Sequence, residues 1–115
     1  MVDYPLPGDY EGLYAPAKDL ILLDVRLSPV QRRCVLAHEI SHAKHRDLGC
    51  RCDRWTERRA DMEASALLID PLEYAFAESV YGQNVHGIAV ELGVMPWVVG
   101  AYREWLHDHG TLVIQ

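Results

Sequence analysis

The residues best suited to chemistry form one short run, His38-Glu39-Ile40-Ser41-His42, which has the pattern H-E-x-x-H. Each residue of an α-helix advances by about 100°, so His42 lies roughly 40° round from His38 and one turn further along. Both imidazoles can then bind one metal ion from the same side. Glu39 lies at the edge of the same arc, where it can take a proton from water rather than bind the metal. The spacing therefore predicts a metal centre. The alternative is a helix that carries two exposed histidines.

A catalytic zinc site needs three protein ligands and one open position, so a third ligand must come from outside this run. Glu57 and Asp61 lie four residues apart and share one face of the next predicted helix. Glu57 can complete the ligand set, and Asp61 can accept the second ring N–H of a ligand histidine and so fix its tautomer. The alternative is that both carboxylates pair at the surface with Arg54 or Arg58.

Capping signals predict the two helices that must position these side chains. Residues 28–31, Ser-Pro-Val-Gln, combine an N-cap, a first-turn proline and a capping box. They predict a helix that runs to about Arg46 and ends before Gly49. Asp53 is an N-cap candidate for a second helix, which we expect to run to about Ile69.

The rest of the sequence predicts an α+β fold, with a small antiparallel β-hairpin or sheet packed against helices. Residues 1–10 predict an irregular lead-in, and residues 11–14 and 19–24 predict the two strands of the hairpin. Three more helices are expected after the metal-binding pair: Asp70 to about Val80, Asn84 to Gly93, and Pro96 to Gly110.

The H-E-x-x-H run is followed by Glu-Arg-Arg-Ala-Asp-Met-Glu-Ala at residues 57–64, and then by Leu-Leu-Ile-Asp-Pro at 67–71. Together these stretches resemble the ImmA/IrrE family of metallopeptidases, whose second motif is E-x-x-A-D-x-F-A, followed by a Leu-Leu-Met-Pro-like segment. The match covers about residues 10–75. It implies a single zincin-like metallopeptidase domain over 1–115, with its core at about 10–75 and a C-terminal helical part at about 84–110.

Carried over residue by residue, the resemblance implies that His38, His42 and Glu57 are the zinc ligands. It implies that Glu39 is the general base and that Asp61 is the carboxylate behind a ligand histidine. The cofactor it implies is one Zn²⁺ ion, and this ligand set also accepts Mn²⁺.

The chain departs from the family pattern at two positions beside the site. Ser41 stands where the family often has glycine, and Glu63 stands where phenylalanine is usual. Glu63 is expected to remove an apolar contact unless its face of the helix is exposed or rotated. His45 matches a histidine often found beyond the motif, and the sequence assigns it no role.

The implied activity is that of a zinc-dependent endopeptidase. The family resemblance further implies that it cleaves a helix-turn-helix transcriptional repressor, in phage or mobile-element induction or in a stress response. The strand at 20–24 is a candidate edge for binding an extended substrate. The candidates for a group that holds the oxyanion are Tyr74, Tyr81, His86 and Tyr102.

The rival interpretation is a catalytically silent module of the same fold that binds a repressor or toxin partner. A third interpretation is a small DNA-binding regulator, because residues 85–107 resemble a helix-turn-helix. The chain has 115 residues and a net charge of −6, which argues against nucleic acid as a partner. Trp97 and Trp105, on one face of the last helix, predict core packing or a hydrophobic docking surface.

The cysteines and the N-terminus indicate where the protein works. Cys34, Cys50 and Cys52 are an odd number, so structural disulfides are not expected. Cys34 is predicted to be a small buried hydrophobe, and the other two to be reduced loop thiols. The N-terminus lacks a basic and an apolar signal segment, and no apolar run reaches the length of a membrane span. We therefore expect a cytoplasmic protein without a membrane anchor.

Overall fold

The computed structural model describes residues 1–47 and 53–113, with side chains as far as His109. It confirms an α+β fold. The elements in chain order are β1 (Val2–Tyr4), β2 (Gly12–Ala15), β3 (Leu20–Asp24), α1 (Pro29–His45), α2 (Arg54–Leu68), α3 (Pro71–Tyr81), α4 (Val85–Leu92) and α5 (Pro96–Val113).

The sheet has three strands in the order β1-β3-β2 and is mixed. β2 and β3 form the predicted antiparallel pair, with Leu13 opposite Leu22. The lead-in prediction for residues 1–10 was wrong in part, because β1 adds in parallel to β3, with Asp3 opposite Leu23. All three β1 residues are exposed, so this strand lacks the alternation that marks a half-buried strand.

The position of β3 also corrects the expected substrate edge. β3 lies in the middle of the sheet, so both of its edges are already paired. β2 lies at one edge instead, and its first residue, Gly12, reaches the cavity beside α1. A side chain at Gly12 would collide with Val35, whose Cγ1 is 2.6 Å from the place of a Cβ. Only glycine allows β2 to lie this close to α1.

A set of hydrogen bonds around the buried Asp24, here called the lock, joins the chain after β1 to the end of β3. Asp24 accepts the backbone N–H of Leu6 at 3.1 Å and the Nε–H of Arg26 at 2.8 Å, while Arg26 also donates to the Leu6 carbonyl oxygen at 2.8 Å. The hydrogen bond from Arg26 holds the pKa of Asp24 below its usual value. The lock fixes the start of the segment 7–11, which goes on to form one wall of the cavity.

The predicted start of α1 is confirmed in detail. The Ser28 side chain accepts the N–H of Gln31 at 3.2 Å, and the Gln31 side chain accepts the N–H of Ser28 at 2.9 Å. Pro29 fills the first position, where no N–H is needed. Asp53, Asp70 and Asn84 cap α2, α3 and α4 as expected.

The end of α1 uses arginine where glycine is usual. Arg46 adopts the left-handed conformation, with φ 52° and ψ 45°. The N–H of Arg46 bonds the Ala43 carbonyl at 3.1 Å, and the N–H of Asp47 bonds the His42 carbonyl at 3.0 Å, which together form a Schellman motif. The turn folds Asp47 back over the last turn of α1, beside His42.

We expect Arg46→Gly to raise the free energy of unfolding by up to about 1 kcal/mol. A left-handed conformation costs a non-glycine residue about 1–2 kcal/mol, and the extra freedom of glycine in the unfolded chain cancels part of that gain. Urea unfolding of the metal-free protein measures the change. Lys44→Gly, at an exposed position in the last turn of α1, is the matched control and should destabilise. If both variants lost the same free energy of unfolding, the proposed backbone strain at Arg46 would be wrong.

The core lies between the first half of α1 and the three C-terminal helices. Cys34 is buried there, as predicted, and burial raises the pKa of its thiol. The fully or nearly fully buried members of this cluster include Cys34, Ala77, Ile88, Ala89, Val98, Val99 and Tyr102. Cys50 and Cys52 lie outside the described residues. α5 passes the predicted end at Gly110 and continues to Val113.

Within the described ranges, no single helix has both the length and the apolarity needed to cross a membrane. The pair α4 and α5 reaches that composition only when taken together, across a break of 102°.

Candidate metal centre

His38 and His42 lie on one face of α1 and converge at their Nε2 atoms, which are 3.1 Å apart. Both side chains are largely buried, with 12% and 9% of their surface exposed. The rings meet edge to face, with centroids 4.8 Å apart. This is the convergence that the i, i+4 spacing predicts.

Glu57 reaches the same point from the first turn of α2. Its Oε1 lies 3.4 Å from Nε2 of His38, and its Oε2 lies 2.9 Å from Nε2 of His42. Ligand atoms about 2.0–2.2 Å from a tetrahedral zinc ion lie about 3.3–3.6 Å from one another. Oε2 of Glu57 is buried and makes no hydrogen bond within the described part of the chain, despite its closeness to His42. The three groups therefore bring their possible ligand atoms to one point, within 4.8 Å of one another.

The other nitrogen of each imidazole contacts a carboxylate. Nδ1 of His38 lies 2.8 Å from Oδ1 of Asp61, as expected, and Nδ1 of His42 lies 2.9 Å from Oδ2 of Asp47. A carboxylate can only accept, so this network assigns a proton to both Nδ1 atoms. In the neutral rings both Nε2 atoms then present lone pairs to each other. A cation at their meeting point converts this repulsion into coordination, so the donor set fits a divalent metal.

The electrostatics of the site agree with this fit. Burial opposes protonation of His38, but the hydrogen bond to Asp61 and the charges of Glu39, Asp61 and Glu57 outweigh it. The pKa of His38 is therefore raised. The negative charges of Glu39, Asp61 and Glu57 that raise this pKa would also attract a divalent cation.

Glu39 is 1% exposed and points from α1 toward β2. Its Oε2 lies 3.3 Å from the place where Gly12 would carry a Cβ, and it lines the same cavity as His38 and Glu57. Glu39 is not part of the three-residue ligand cluster. A buried carboxylate beside the ligands is suited to proton transfer, as the sequence predicts.

The cavity in front of the cluster has a volume of about 290 Å³. Its lining residues are Asp9, Tyr10, Glu11, Gly12, Val35, His38, Glu39, Glu57, Asp61 and Trp97. Sequence reasoning missed the wall formed by residues 9–11, since nothing in that stretch marks it as part of a site. All of the charged side chains on this lining are acidic, apart from the histidine.

The four residues considered for the oxyanion do not line this cavity in the described structure. Tyr74 and Tyr102 pack in the core with ring centroids 4.9 Å apart. The Tyr81 hydroxyl donates to Glu91 at 3.1 Å, and His86 is exposed on α4. Each of these side chains has a packing or surface role.

Two departures from the family pattern contact each other. The Ser41 hydroxyl donates to Glu63 at 2.7 Å, and Nε2 of His45 lies 3.1 Å from both oxygens of Glu63. Glu63 therefore links α2 to α1 by hydrogen bonds at the position where an apolar contact was expected to be lost. The same contact accounts for His45, which the sequence left without a role.

We expect Glu63→Gln to lower the free energy of unfolding at pH 7 by about 1 kcal/mol, the scale of a partly exposed hydrogen bond to a charge. Burial alone would raise the pKa of Glu63, but hydrogen bonds from Ser41 and His45 outweigh it and lower the pKa. A carboxyl with a lowered folded pKa stabilises above its unfolded value of 4.5 and loses that stabilisation as the pH falls through the lowered value.

Urea unfolding of the wild type and of Glu63→Gln from pH 7 to pH 3 measures this effect. The gap between the two proteins should narrow below about pH 4.5. Glu73→Gln, at an exposed position in α3, is the control and should not show that narrowing. A gap that stays constant over the whole range would contradict the assigned role of Glu63.

The last helix forms one side of the site. Trp97 lines the cavity and meets the His38 ring edge to face, with centroids 6.1 Å apart. Trp105 stacks on Tyr102 at 5.7 Å and on His109 at 4.4 Å. Both tryptophans are partly buried and packed against the core. Of the two predicted roles, core packing and a docking surface, this favours core packing.

A helix with the H-E-x-x-H pattern, whose two imidazoles meet a glutamate of the next helix, is typical of metallopeptidases. The chain belongs to the peptidase M78 family: the model of the IrrE N-terminal-like domain matches residues 6–100. The match extends beyond the 10–75 core expected from sequence, through α3 and α4 and into α5. Comparison with curated proteins and with solved structures gives no match.

Proposed function

We propose that this protein is a zinc-dependent endopeptidase. The observation that carries the proposal is the convergence of Nε2 of His38, Nε2 of His42 and the Glu57 carboxylate, with both Nδ1 atoms held by other carboxylates. This donor set suits Zn²⁺ and also accepts Mn²⁺. Membership of the peptidase M78 family supports the same class of activity.

The side chains of the site have different roles in the proposed reaction. His38, His42 and Glu57 would hold the ion, and Asp61 keeps the His38 ring in its binding orientation. When bound, the ion would supply Lewis acidity, which polarises a peptide carbonyl and makes water more acidic. Glu39 takes the proton from the attacking water and delivers it to the amine nitrogen that leaves.

The cavity lining supports an extended and basic peptide as the substrate. The edge strand β2 reaches the cavity at Gly12, so a peptide lying alongside it can add to the sheet. The acids of the lining, Asp9 and Glu11 among them, favour a positively charged segment.

We propose a helix-turn-helix repressor as the substrate, in phage or mobile-element induction or in a stress response. DNA-binding proteins carry basic surfaces, which complement this acidic lining. The negative net charge of the chain also suits a protein partner of opposite charge better than nucleic acid.

The experiment is a cleavage assay with the zinc-loaded protein and a purified basic helix-turn-helix repressor, read by mass spectrometry. We expect discrete fragments, which disappear after treatment with a chelator and return when Zn²⁺ is added. Casein, as an unfolded general substrate, separates a missing activity from a wrong substrate. Binding of the repressor without cleavage of either protein would favour the catalytically silent module.

A further inference from the structure

Asp47 is a partly buried carboxylate to which the proposed reaction gives no role. Its side chain is 14% exposed, and the left-handed turn at Arg46 places it directly behind His42. Oδ2 of Asp47 lies 2.9 Å from Nδ1 of His42, and the same oxygen accepts a hydrogen bond from Nη2 of Arg59. Arg59 lies on α2, two residues beyond the ligand Glu57.

The carboxylates behind the two imidazoles differ in their surroundings. Asp61, behind His38, is 44% exposed and lines the cavity. Asp47 is more deeply buried and is paired with Arg59, whose side chain is 33% exposed. One oxygen of Asp47 contacts both Nδ1 of His42 and Nη2 of Arg59. Asp47 therefore lies between the positive charge of Arg59 and the site where a divalent cation would bind.

We infer that Asp47 is a positioning residue for His42 and that it screens the metal site from the charge of Arg59. This inference rests on the proposed metal centre. Asp47 keeps the imidazole in the tautomer whose Nε2 can bind a metal. Carboxylates that hold a metal-binding histidine in this way raise the metal affinity by about 10- to 100-fold. Arg59 fixes the Asp47 carboxylate, but without that carboxylate its positive charge would repel the bound ion.

The test measures the dissociation constant of Zn²⁺ by competition with a chromophoric chelator, and the absorption spectrum of the Co²⁺ form. Asp47→Asn should weaken Zn²⁺ binding by about 10- to 100-fold. Arg59→Gln alone should change it by less than about 3-fold, because the Asp47 carboxylate remains on His42. The double variant should bind Zn²⁺ more tightly than Asp47→Asn, since the unscreened cation is gone.

Two further variants control for folding. Asp47→Glu keeps the charge and should bind Zn²⁺ more tightly than Asp47→Asn. Glu104→Gln breaks the exposed ion pair of Glu104 with Arg58 on α2 and should leave the zinc affinity unchanged. Urea unfolding of each metal-free variant tests whether the apo fold is intact.

The possible results separate the two proposals. A wild type that binds no Zn²⁺ would overturn the metal centre itself. A wild type that binds Zn²⁺ while Asp47→Asn binds it equally well would overturn only the role of Asp47. The double variant could instead bind Zn²⁺ more weakly than Asp47→Asn, with a loss of affinity equal to the sum of the two single losses. That result would show that the Asp47–Arg59 pair is only structural and would overturn the screening role.

Discussion

Replacing Glu39 by glutamine is expected to slow peptide cleavage by at least about 100-fold while one metal ion per chain stays bound, since general acid–base catalysis contributes about 10²–10⁴-fold. Glutamine keeps the size of the side chain but cannot take a proton from water. Glu39 lies beside the ligand cluster and is not part of it, so the metal affinity should be retained.

The measurement pairs single-turnover cleavage of the substrate with metal analysis of the same sample. Glu63→Gln is the matched control, because it makes the same change at a carboxylate that contacts Ser41 and His45 and lies outside the cavity lining. The control should cleave at close to the wild-type rate. Undiminished cleavage by Glu39→Gln would show that another group is the general base.

Glu57→Ala is expected to weaken Zn²⁺ binding by about 100- to 1,000-fold. Structural zinc sites bind with about 10–16 kcal/mol spread over four ligands, or about 2.5–4 kcal/mol for each one. The loss also removes the charge that faces both Nε2 atoms, at 3.4 and 2.9 Å. Cleavage should fall with the occupancy of the site.

Competition with a chromophoric chelator measures this affinity. Glu73→Ala, at an exposed position of α3, should bind Zn²⁺ like the wild type. If Glu57→Ala kept the wild-type affinity, the third ligand would have to be another group, and Asp61 would be the first to test because it lies one turn further along α2.

The local signals of the sequence were sufficient for the helices and for the three residues of the candidate metal cluster. Ser28, Asp53, Asp70 and Asn84 were predicted as caps, and all four cap helices. The two histidines follow from helical periodicity alone, since the i, i+4 spacing fixes their relative direction. Glu57 needed both the family pattern and a neighbouring helix, because its distance from His38 in space depends on how α2 packs against α1.

What the sequence did not predict depends on contacts between distant segments. The place of Tyr10 on the cavity wall depends on the lock between Leu6 and Asp24, which pairs residues 18 apart in the chain. The middle position of β3 follows from the addition of β1, whose three residues carry no pattern of burial. Such pairings depend on tertiary packing and not on local propensity.

Asp47 was missed for a different reason. It follows an arginine in a left-handed conformation, and sequence rules expect glycine at such a turn. Glu63 looked like a lost apolar contact because its partners, Ser41 and His45, lie on another helix. In both cases a polar residue acquires its role from a side chain that is remote in sequence.

The most direct test of the metal centre is a crystal structure of the zinc-loaded protein, with anomalous data collected at the zinc edge. We predict a single anomalous peak about 2.0–2.2 Å from Nε2 of His38, from Nε2 of His42 and from a carboxylate oxygen of Glu57. A peak at other side chains, or Glu57 turned away from both histidines, would contradict the proposed centre and with it the peptidase chemistry.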